Sequence, residues 1–428
     1  MKPGDVLETA IEKGVYRGRG LGRRDGRVIL VPRAHPGDRV RVRLAAVHPG
    51  WVEGTLVEVL EAAPERRPSP CPYVPVCGGC AYQDLSYDAQ LRVKEVVLRE
   101  SLARAGVRWE GTVKVHASPE RGWRLRASLH FSPSEGGLRL GLRQEGTRRV
   151  VDVEECLQLS ERMNRAARAL REALLDRPAL WPRVRGLDLL ESPDGGTLLG
   201  VVETNLAAPE APTLASLAGR VPGLDGLGVA TGRRLHWLQG PSHVEAQVLG
   251  VTLRAHARSF FQANRFLLEP LARTVVDLVP AAESRVIDLY AGVGLFALPL
   301  AARGERDVLA VEWAHLAAED ARWNARRNGL EQVRVVAGDV ATALAGVRPE
   351  ARERIVLDPP RSGVSPEVAR LLADRAPQAI VYVSCDPPTL GRDLSRLAAR
   401  GYRPDTMHLF DLFPDTFHME TVVRLQRV

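Results

Sequence analysis

The spacing of apolar and polar residues divides the chain into three parts. Over residues 1–62 short alternating runs, Val40-Arg41-Val42-Arg43-Leu44 and more loosely Val52 to Val59, are broken at intervals by Gly14, Gly18, Gly20, Gly22, Gly26, Gly37, Gly50 and Gly54. Evenly spaced short strands of this kind predict a small β-barrel of the OB-like type that often grips oligonucleotides. The run Tyr16 to Arg24, rich in Arg and Gly, is expected as a basic loop on it. A proline-rich break (Pro64, Pro68, Pro70, Pro72, Pro75) leads to a helical pattern over 84–106 carried by Leu91, Val96, Leu98 and Leu102. From about 112 to 255 strands dominate. Trp123-Arg124-Leu125-Arg126 and Leu138 to Arg143 alternate, so one face carries arginines toward solvent or a nucleic acid. From 258 to 428 the rhythm becomes strand–helix–strand. Strands are expected at 284–290, 307–313, 333–339, 353–358, 379–385, 405–412 and 418–426, with helices between them, for example 315–328, 365–375 and 388–399. That order implies an open, mostly parallel α/β sheet covered on both faces, ended by an antiparallel hairpin. The domains expected are 1–62, 63–257 and 258–428.

Length fits that division, since 428 residues correspond to about two to four domains. The formal charge of +7 and a pI near 9.4 favour an anionic partner. Lysine occurs only at Lys2, Lys13, Lys94 and Lys114, so the positive charge is almost all arginine, whose planar fork suits phosphate and base contacts. No segment approaches the ~20 apolar residues of a membrane span, and the start lacks the apolar core of a secretory signal. A cytoplasmic protein is expected.

Val286-Ile287-Asp288-Leu289-Tyr290-Ala291-Gly292-Val293-Gly294 reads as a strand running into a glycine turn, where the backbone can approach a ligand. Glu312 ends the next strand, where an acid grips ribose hydroxyls, and Asp339 ends the third, where it would meet an adenine edge. The ligand read from this is S-adenosylmethionine. A nicotinamide dinucleotide is the rival, but the third glycine of its fingerprint is replaced by Ala297. Asp358-Pro359-Pro360 follows the fourth strand, a motif typical of enzymes that methylate planar nitrogens or bases. Amino-nitrogen methylators continue with an aromatic residue, whereas here Arg361 follows.

Cys385, in Ser384-Cys385-Asp386-Pro387, ends the fifth strand and faces the same crevice. Carbon 5 of uracil is too weak a nucleophile to attack a sulfonium methyl. A thiolate adding to carbon 6 creates an enolate that puts electron density on carbon 5. A base must afterwards remove the carbon-5 proton. Glu420, at the start of the last strand, is the candidate, and His418 is its rival. The other cysteines, Cys71-x5-Cys77-x2-Cys80 and the distant Cys156, supply four thiolates for zinc or a 4Fe–4S cluster, between which spacing does not decide. The Gly78-Gly79 pair permits a tight wrap.

Taken in order, these motifs resemble the RNA uracil-C5 methyltransferases, in particular the 23S rRNA branch that carries a TRAM domain, over essentially the whole chain. The resemblance implies a TRAM/OB-like barrel, a central β-rich iron–sulfur domain and a Rossmann-like methyltransferase domain. It implies that Cys71, Cys77, Cys80 and Cys156 hold a 4Fe–4S cluster. Ser259-Phe260-Phe261-Gln262-Ala263-Asn264 is similar to a family motif, by which Gln262 contacts S-adenosylmethionine, as do Tyr290, Gly292, Glu312, Asp339 and Asp358. Cys385 and Glu420 match the nucleophile and base motifs. RNA is the implied partner, with no membrane or protein partner. Asp386 stands where the family usually has Asn, Ala291 where Cys is frequent, and Leu295 replaces a polar residue of some members. Two rivals remain: the same chemistry on tRNA, and an RNA-binding iron–sulfur protein without catalysis, for which Cys385→Ala would be silent.

Overall fold

The computed structural model describes residues 1–135, 137–206, 214, 217, 219–232 and 234–428. The N-terminal strands β1 (Val6–Val15), β2 (Arg19–Arg24), β3 (Arg27–Pro32), β4 (Arg39–His48) and β5 (Trp51–Glu61) close into a barrel in the order β1-β2-β3-β5-β4. The alternation in the sequence turns Ile11, Ile29, Val31, Val40, Val42, Leu44 and Val52 inward as a small core. The Arg- and Gly-rich run differs from the expected loop. Only its beginning is a turn, and Arg19–Arg24 is β2. Its glycines explain this: a Cβ on Gly20 would lie 2.3 Å from the carbonyl oxygen of Ala34, so the strand enters the barrel only because that atom is missing.

A helix, Tyr87–Arg104, and β6 (Val113–His116) follow. The middle sheet is built from β7 (Arg126–Ser134), β8 (Gly137–Gly141), β9 (Val184–Glu191), β10 (Leu198–Thr204), β11 (Gly226–Thr231) and β12 (Arg234–Gln239), in the order β12-β11-β10-β9-β7-β8. The helix Glu161–Leu175 covers it with Met163, Ala166, Leu170 and Leu174. A two-stranded hairpin, β13 (His243–Val248) and β14 (Val251–His256), comes next.

The C-terminal strands are β15 (Val286–Leu289), β16 (Val308–Glu312), β17 (Val333–Ala337), β18 (Arg354–Leu357), β19 (Ala379–Ser384), β20 (Tyr402–Phe410) and β21 (Glu420–Arg427). The first five are parallel, and β21 runs antiparallel between β19 and β20. Unbroken apolar runs such as Val286 to Leu289 and Ala379 to Val383 are buried, as expected of a parallel sheet sandwiched by helices. Helices Leu268–Leu278, Ala297–Arg303 and His315–Arg327 pack on one face. Helices Val340–Ala345, Pro366–Arg375 and Pro387–Ala398 pack on the other, joined by Tyr87–Arg104.

Two features depart from the three-part division. The C-terminal hairpin is not the sheet's edge, because β6 pairs parallel to β20 (Met407 opposite Val113) and covers its free hydrogen-bonding groups. The hairpin β13–β14 packs on the C-terminal layer, where Asn324 receives the N–H of Arg254 at 2.8 Å. Residues 87–116 and 243–256 therefore pack with the C-terminal unit, and of them only β6 joins its sheet. Lys94 of the helix Tyr87–Arg104 pins the attachment: it is fully buried, donating to Asp411 at 2.6 Å and to the Phe413 carbonyl at 3.1 Å.

Candidate active site

A cavity of about 840 Å³ opens at the carboxyl ends of the C-terminal strands, the usual crevice of an open α/β sheet. Eight side chains or backbone groups singled out from the sequence line it: Gln262, Tyr290, Gly292, Glu312, Asp339, Asp358, Cys385 and Glu420. The first turn is built for close approach. Tyr290 has φ +65°, Gly292 +55° and Gly294 +93°. A Cβ on Gly294 would strike Leu298 at 2.1 Å. Asp288, fully buried beneath the turn, accepts the N–H of Ala297 at 2.9 Å and so fixes the start of the following helix.

Glu312, at the end of β16, accepts the N–H groups of Gly292 at 2.8 Å and Ala314 at 2.6 Å. It ties the glycine turn to the neighbouring strand. Asp339 caps the helix Val340–Ala345 through the N–H of Thr342 at 2.9 Å. Those contacts keep its carboxyl below the usual range. Asp358 follows β18 and lies 3.4 Å from the amide nitrogen of Gln262, which donates to it. Cys385 comes directly after β19, one residue before the helix cap Asp386. Ser384 of β19 pairs with Thr421 of β21, so Cys385 follows directly beyond the end of that antiparallel ladder and Glu420 adjoins its last pair. His418 is not among the lining residues; its ring nitrogen Nδ1 lies 3.4 Å from Arg361.

The acids are crowded and short of cations. Burial, helped by the Glu312 charge, pushes Asp358 up to about 7. Burial and then the Asp358 charge lift Glu420 well above the carboxylate range, with Arg361 opposing. Burial and the Glu420 charge push the Cys385 thiol up to about 12, again against Arg361. Burial also takes His418 down to about 4. Burial thus favours the protonated forms of both the thiol and Glu420. A cation placed among these groups would lower all of these values.

The middle unit supplies the opposite wall, and here sequence reading fell short. Arg124 and Arg126 do not lie on a solvated sheet face; both line the cavity. Arg126 donates to the carbonyl of Ser259 at 2.9 Å and to that of Ala257, clamping the segment that carries Gln262. Phe260 (62 % exposed) and Trp313 (78 %) stand bare at the cavity's lining, an arrangement suited to stacking a flat ring. The only signal for them in the sequence is adjacency to Gln262 and Glu312.

Cys71, Cys77, Cys80 and Cys156 line a second, small cavity beside the first, and Cys156 borders both. N–H donors point at the sulfurs: Gln158 at Cys80 (2.9 Å), Gln83 at Cys80 (3.7 Å) and Gly79 at Cys77 (3.4 Å). Among the described residues no three Cys, His, Asp or Glu side chains converge tightly enough to hold a single metal ion. No helix is long and apolar enough to cross a membrane.

Comparison with known proteins agrees with this architecture. The family model described as tRNA (Uracil-5-)-methyltransferase matches residues 86–428, and that of the TRAM domain matches residues 2–57. The chain is 31% identical over 455 residues to an uncharacterized RNA methyltransferase of Halalkalibacterium halodurans, covering 99% of this chain and 97% of that one. It is 34% identical over 447 residues to the 23S rRNA (uracil(1939)-C(5))-methyltransferase RlmD of Alkalilimnicola ehrlichii, covering 99% and 97%. Among solved structures, the Pyrococcus abyssi tRNA (uracil-54, C5)-methyltransferase in complex with S-adenosyl-L-homocysteine superposes with a TM-score of 0.77 at 26% identity, covering 98% of this chain and all of that one.

Proposed function

The chain belongs to the tRNA (uracil-5-)-methyltransferase family, enzymes that use S-adenosylmethionine to methylate carbon 5 of uridine in RNA, and we propose that its own target is a uridine of 23S rRNA. The similarity to RlmD over nearly the full length of both chains supports rRNA. The superposition on a tRNA enzyme favours the rival substrate. Such a target would be met in the cytoplasm.

The reading of the reaction rests chiefly on Cys385 and Glu420 both lining the cavity wall, next to the last pair of the β19–β21 ladder and near enough for the Glu420 charge to act on the thiol. Cys385 gives up its proton to solvent and its thiolate bonds to carbon 6 of the flipped uracil, moving the ring's double-bond electrons toward carbon 5, while Glu420 stays ionised for the later proton removal. Carbon 5 takes the methyl group that S-adenosylmethionine supplies, leaving S-adenosylhomocysteine. Glu420 removes the carbon-5 proton, and the sulfur–carbon bond breaks as the double bond re-forms. The sulfonium charge, brought in beside Asp358 and Glu420, lowers the carboxyl and thiol values that burial had raised. Gln262, Tyr290, Gly292, Glu312, Asp339 and Asp358 hold the donor. The barrel and the cavity arginines contact the RNA, so affinity falls with salt.

Cys71, Cys77, Cys80 and Cys156 would hold a 4Fe–4S cluster. A cluster presents several irons to several thiolates, so it suits sulfurs that ring a cavity without meeting at one point. The N–H groups aimed at Cys80 and Cys77 favour charged sulfur. The half-buried Arg124 beside them, which also lines the main cavity, forms no ion pair with a carboxylate among the described residues. Its guanidinium would balance the cluster's negative charge. No step of methyl transfer needs the cluster; anaerobic purification with iron and sulfide analysis tests for it.

The decisive experiment maps 5-methyluridine in rRNA and tRNA of a strain lacking this gene. Loss from 23S rRNA alone is expected; loss from tRNA alone overturns the substrate assignment. Restoring the gene as Cys385→Ala should return no methyl group, a loss of at least about 10⁴-fold if the covalent route is the only one. Glu420→Gln should leave RNA bonded to the protein, visible as a slowly migrating adduct on denaturing gels. Methylation by the Cys385→Ala protein would exclude the addition step.

A further inference from the structure

The barrel does more than sit beside the catalytic unit, because one of its side chains reaches the residue next to Cys385. Tyr16, in the turn between β1 and β2, donates its hydroxyl to Oδ2 of Asp386. The other carboxylate oxygen accepts the N–H of Thr389 at 2.9 Å, capping the helix Pro387–Ala398. Asp386 is thus held on two sides, by its own helix and by another domain. The turn is closely seated. The Tyr16 ring meets Phe417 edge-on with centroids 6.5 Å apart, and a Cβ on Gly18 would come within 2.8 Å of Ala81 and 3.2 Å of Phe417. Phe417 belongs to the loop between β20 and β21 that leads into Glu420. The same turn therefore touches both loops on which the proposed nucleophile and base are mounted.

An aspartate at this position is chemically awkward. Its charge, one residue from the sulfur, opposes formation of the thiolate. An aspartate with a free oxygen could swing toward the sulfur. A tyrosine hydroxyl on that oxygen draws the charge outward and fixes the rotamer. Arg17, next in the chain, lies over the Tyr16 ring at 5.7 Å, and Arg19 begins the following strand. The contact with Asp386 thus lies within the basic stretch expected to meet RNA.

We propose that Tyr16 is a positioning residue for methyl transfer: through its hydrogen bond to Asp386 the RNA-binding barrel holds the Cys385 loop in the geometry for attack. This rests on the reading of Cys385 as the nucleophile. Four charged groups act on that sulfur: Arg361 from the loop after β18, Asp358 at the end of β18, Glu420 on β21 and Asp386 on its own segment. Tyr16 governs only the last of these.

The test uses the full-length protein and Tyr16→Phe, which keeps the ring against Phe417 and removes only the hydroxyl. Methyl transfer to an RNA fragment should fall on the order of tenfold in kcat, the scale of a small misplacement of a reacting group, with KM for RNA unchanged. Alkylation of Cys385 by iodoacetamide, followed on its own peptide, should need higher pH in Tyr16→Phe and lower pH in Asp386→Asn. In the Asp386→Asn background, adding Tyr16→Phe should change the alkylation midpoint little, because the charge it steers is gone. Equal effects of Tyr16→Phe in both backgrounds, or an unchanged kcat and midpoint in the single variant, would overturn the proposal. A raised KM for RNA with normal kcat and midpoint would also overturn it, showing Tyr16 to be an RNA contact. Failure of the underlying reading looks different: the Cys385→Ala protein would still methylate, whatever Tyr16 does.

Discussion

Two groups of buried acids in this molecule are treated in opposite ways. Where the barrel meets the middle unit, Asp38 and Asp84 are surrounded by donors. Arg66 reaches Asp38 at 2.9 and 3.2 Å and also donates to Asp84. The N–H groups of His35 and Ala63 bind Asp38 at 2.7 and 2.9 Å, and the His35 ring meets Asp84 at 2.7 Å. Burial alone would raise Asp38, but these partners outweigh it and hold its carboxyl below the usual range. At Asp358 and Glu420 in the cavity, burial acts almost unopposed. Among the described residues Asp358 has the Gln262 amide, at 3.4 Å, and Glu420 is opposed by the Arg361 charge. Two buried acids left with so little compensation suit a cation brought into the cavity. The positive sulfonium of S-adenosylmethionine is such a cation.

If the joint is truly compensated, breaking it should be the costliest change outside the chemistry. Arg66→Met leaves the Asp38 carboxylate, 0 % exposed, without its partner. The expected loss is about 3–5 kcal/mol, the range for a buried pair deprived of one member, measured by urea unfolding at neutral pH. Because Asp38 and Asp84 titrate below their unfolded values, their contribution is present above about pH 4 and disappears as pH falls through the folded values. The variant's deficit should therefore shrink in acid. A deficit under 1 kcal/mol at neutral pH would place this cluster with ordinary surface pairs.

Ligand binding in the cavity should also weaken in acid, but in a higher pH range. Asp358, held near 7 without ligand, must lose its proton before it can attract a cation. Affinity for S-adenosylmethionine should fall by up to about tenfold per pH unit below that value, with close to one proton released per molecule bound. Calorimetry in two buffers of different ionisation enthalpy counts that proton. S-adenosylhomocysteine, whose sulfur is neutral, should show a much shallower dependence. Equal slopes for the two ligands would mean that the acids recognise something other than the sulfonium.

How far the sequence revealed this contrast depended on the range of the interactions. The parallel strands were readable because burial on both faces leaves an unbroken apolar run, as in Val286 to Leu289. The motif residues at the strand ends were readable because each follows such a run directly. Cys385 and Glu420 come from segments 35 positions apart, yet the motif of each pointed to the cavity that both line. Contacts set only by tertiary packing were not readable. Val113–His116 has too few residues to announce itself as a strand and becomes one because β20 offers a free edge. Lys94 looks like a solvated helix residue until Asp411 meets it in the core. Arg124 and Arg126 alternate with Trp123 and Leu125 exactly as they would on an exposed sheet, and only the opposing domain turns that face into a cavity wall. Tyr16 carried no signal at all, since its partner lies 370 positions away.

The smallest effect is the one that most directly separates stability from function. A carboxyl whose folded pKa is raised favours the fold while protonated. That contribution is complete below the unfolded value near 4 and is lost as pH rises through about 7 for Asp358. Asp358→Asn imitates the protonated form at every pH. The variant should match the parent near pH 4 and exceed it above pH 8 by on the order of 1 kcal/mol, read as a higher Tm without ligand. It should at the same time bind S-adenosylmethionine more weakly and no longer show the pH slope of the parent. A variant less stable than the parent at pH 8 would mean that the Asp358 carboxylate is satisfied by the protein itself, and the two groups of acids would then be alike.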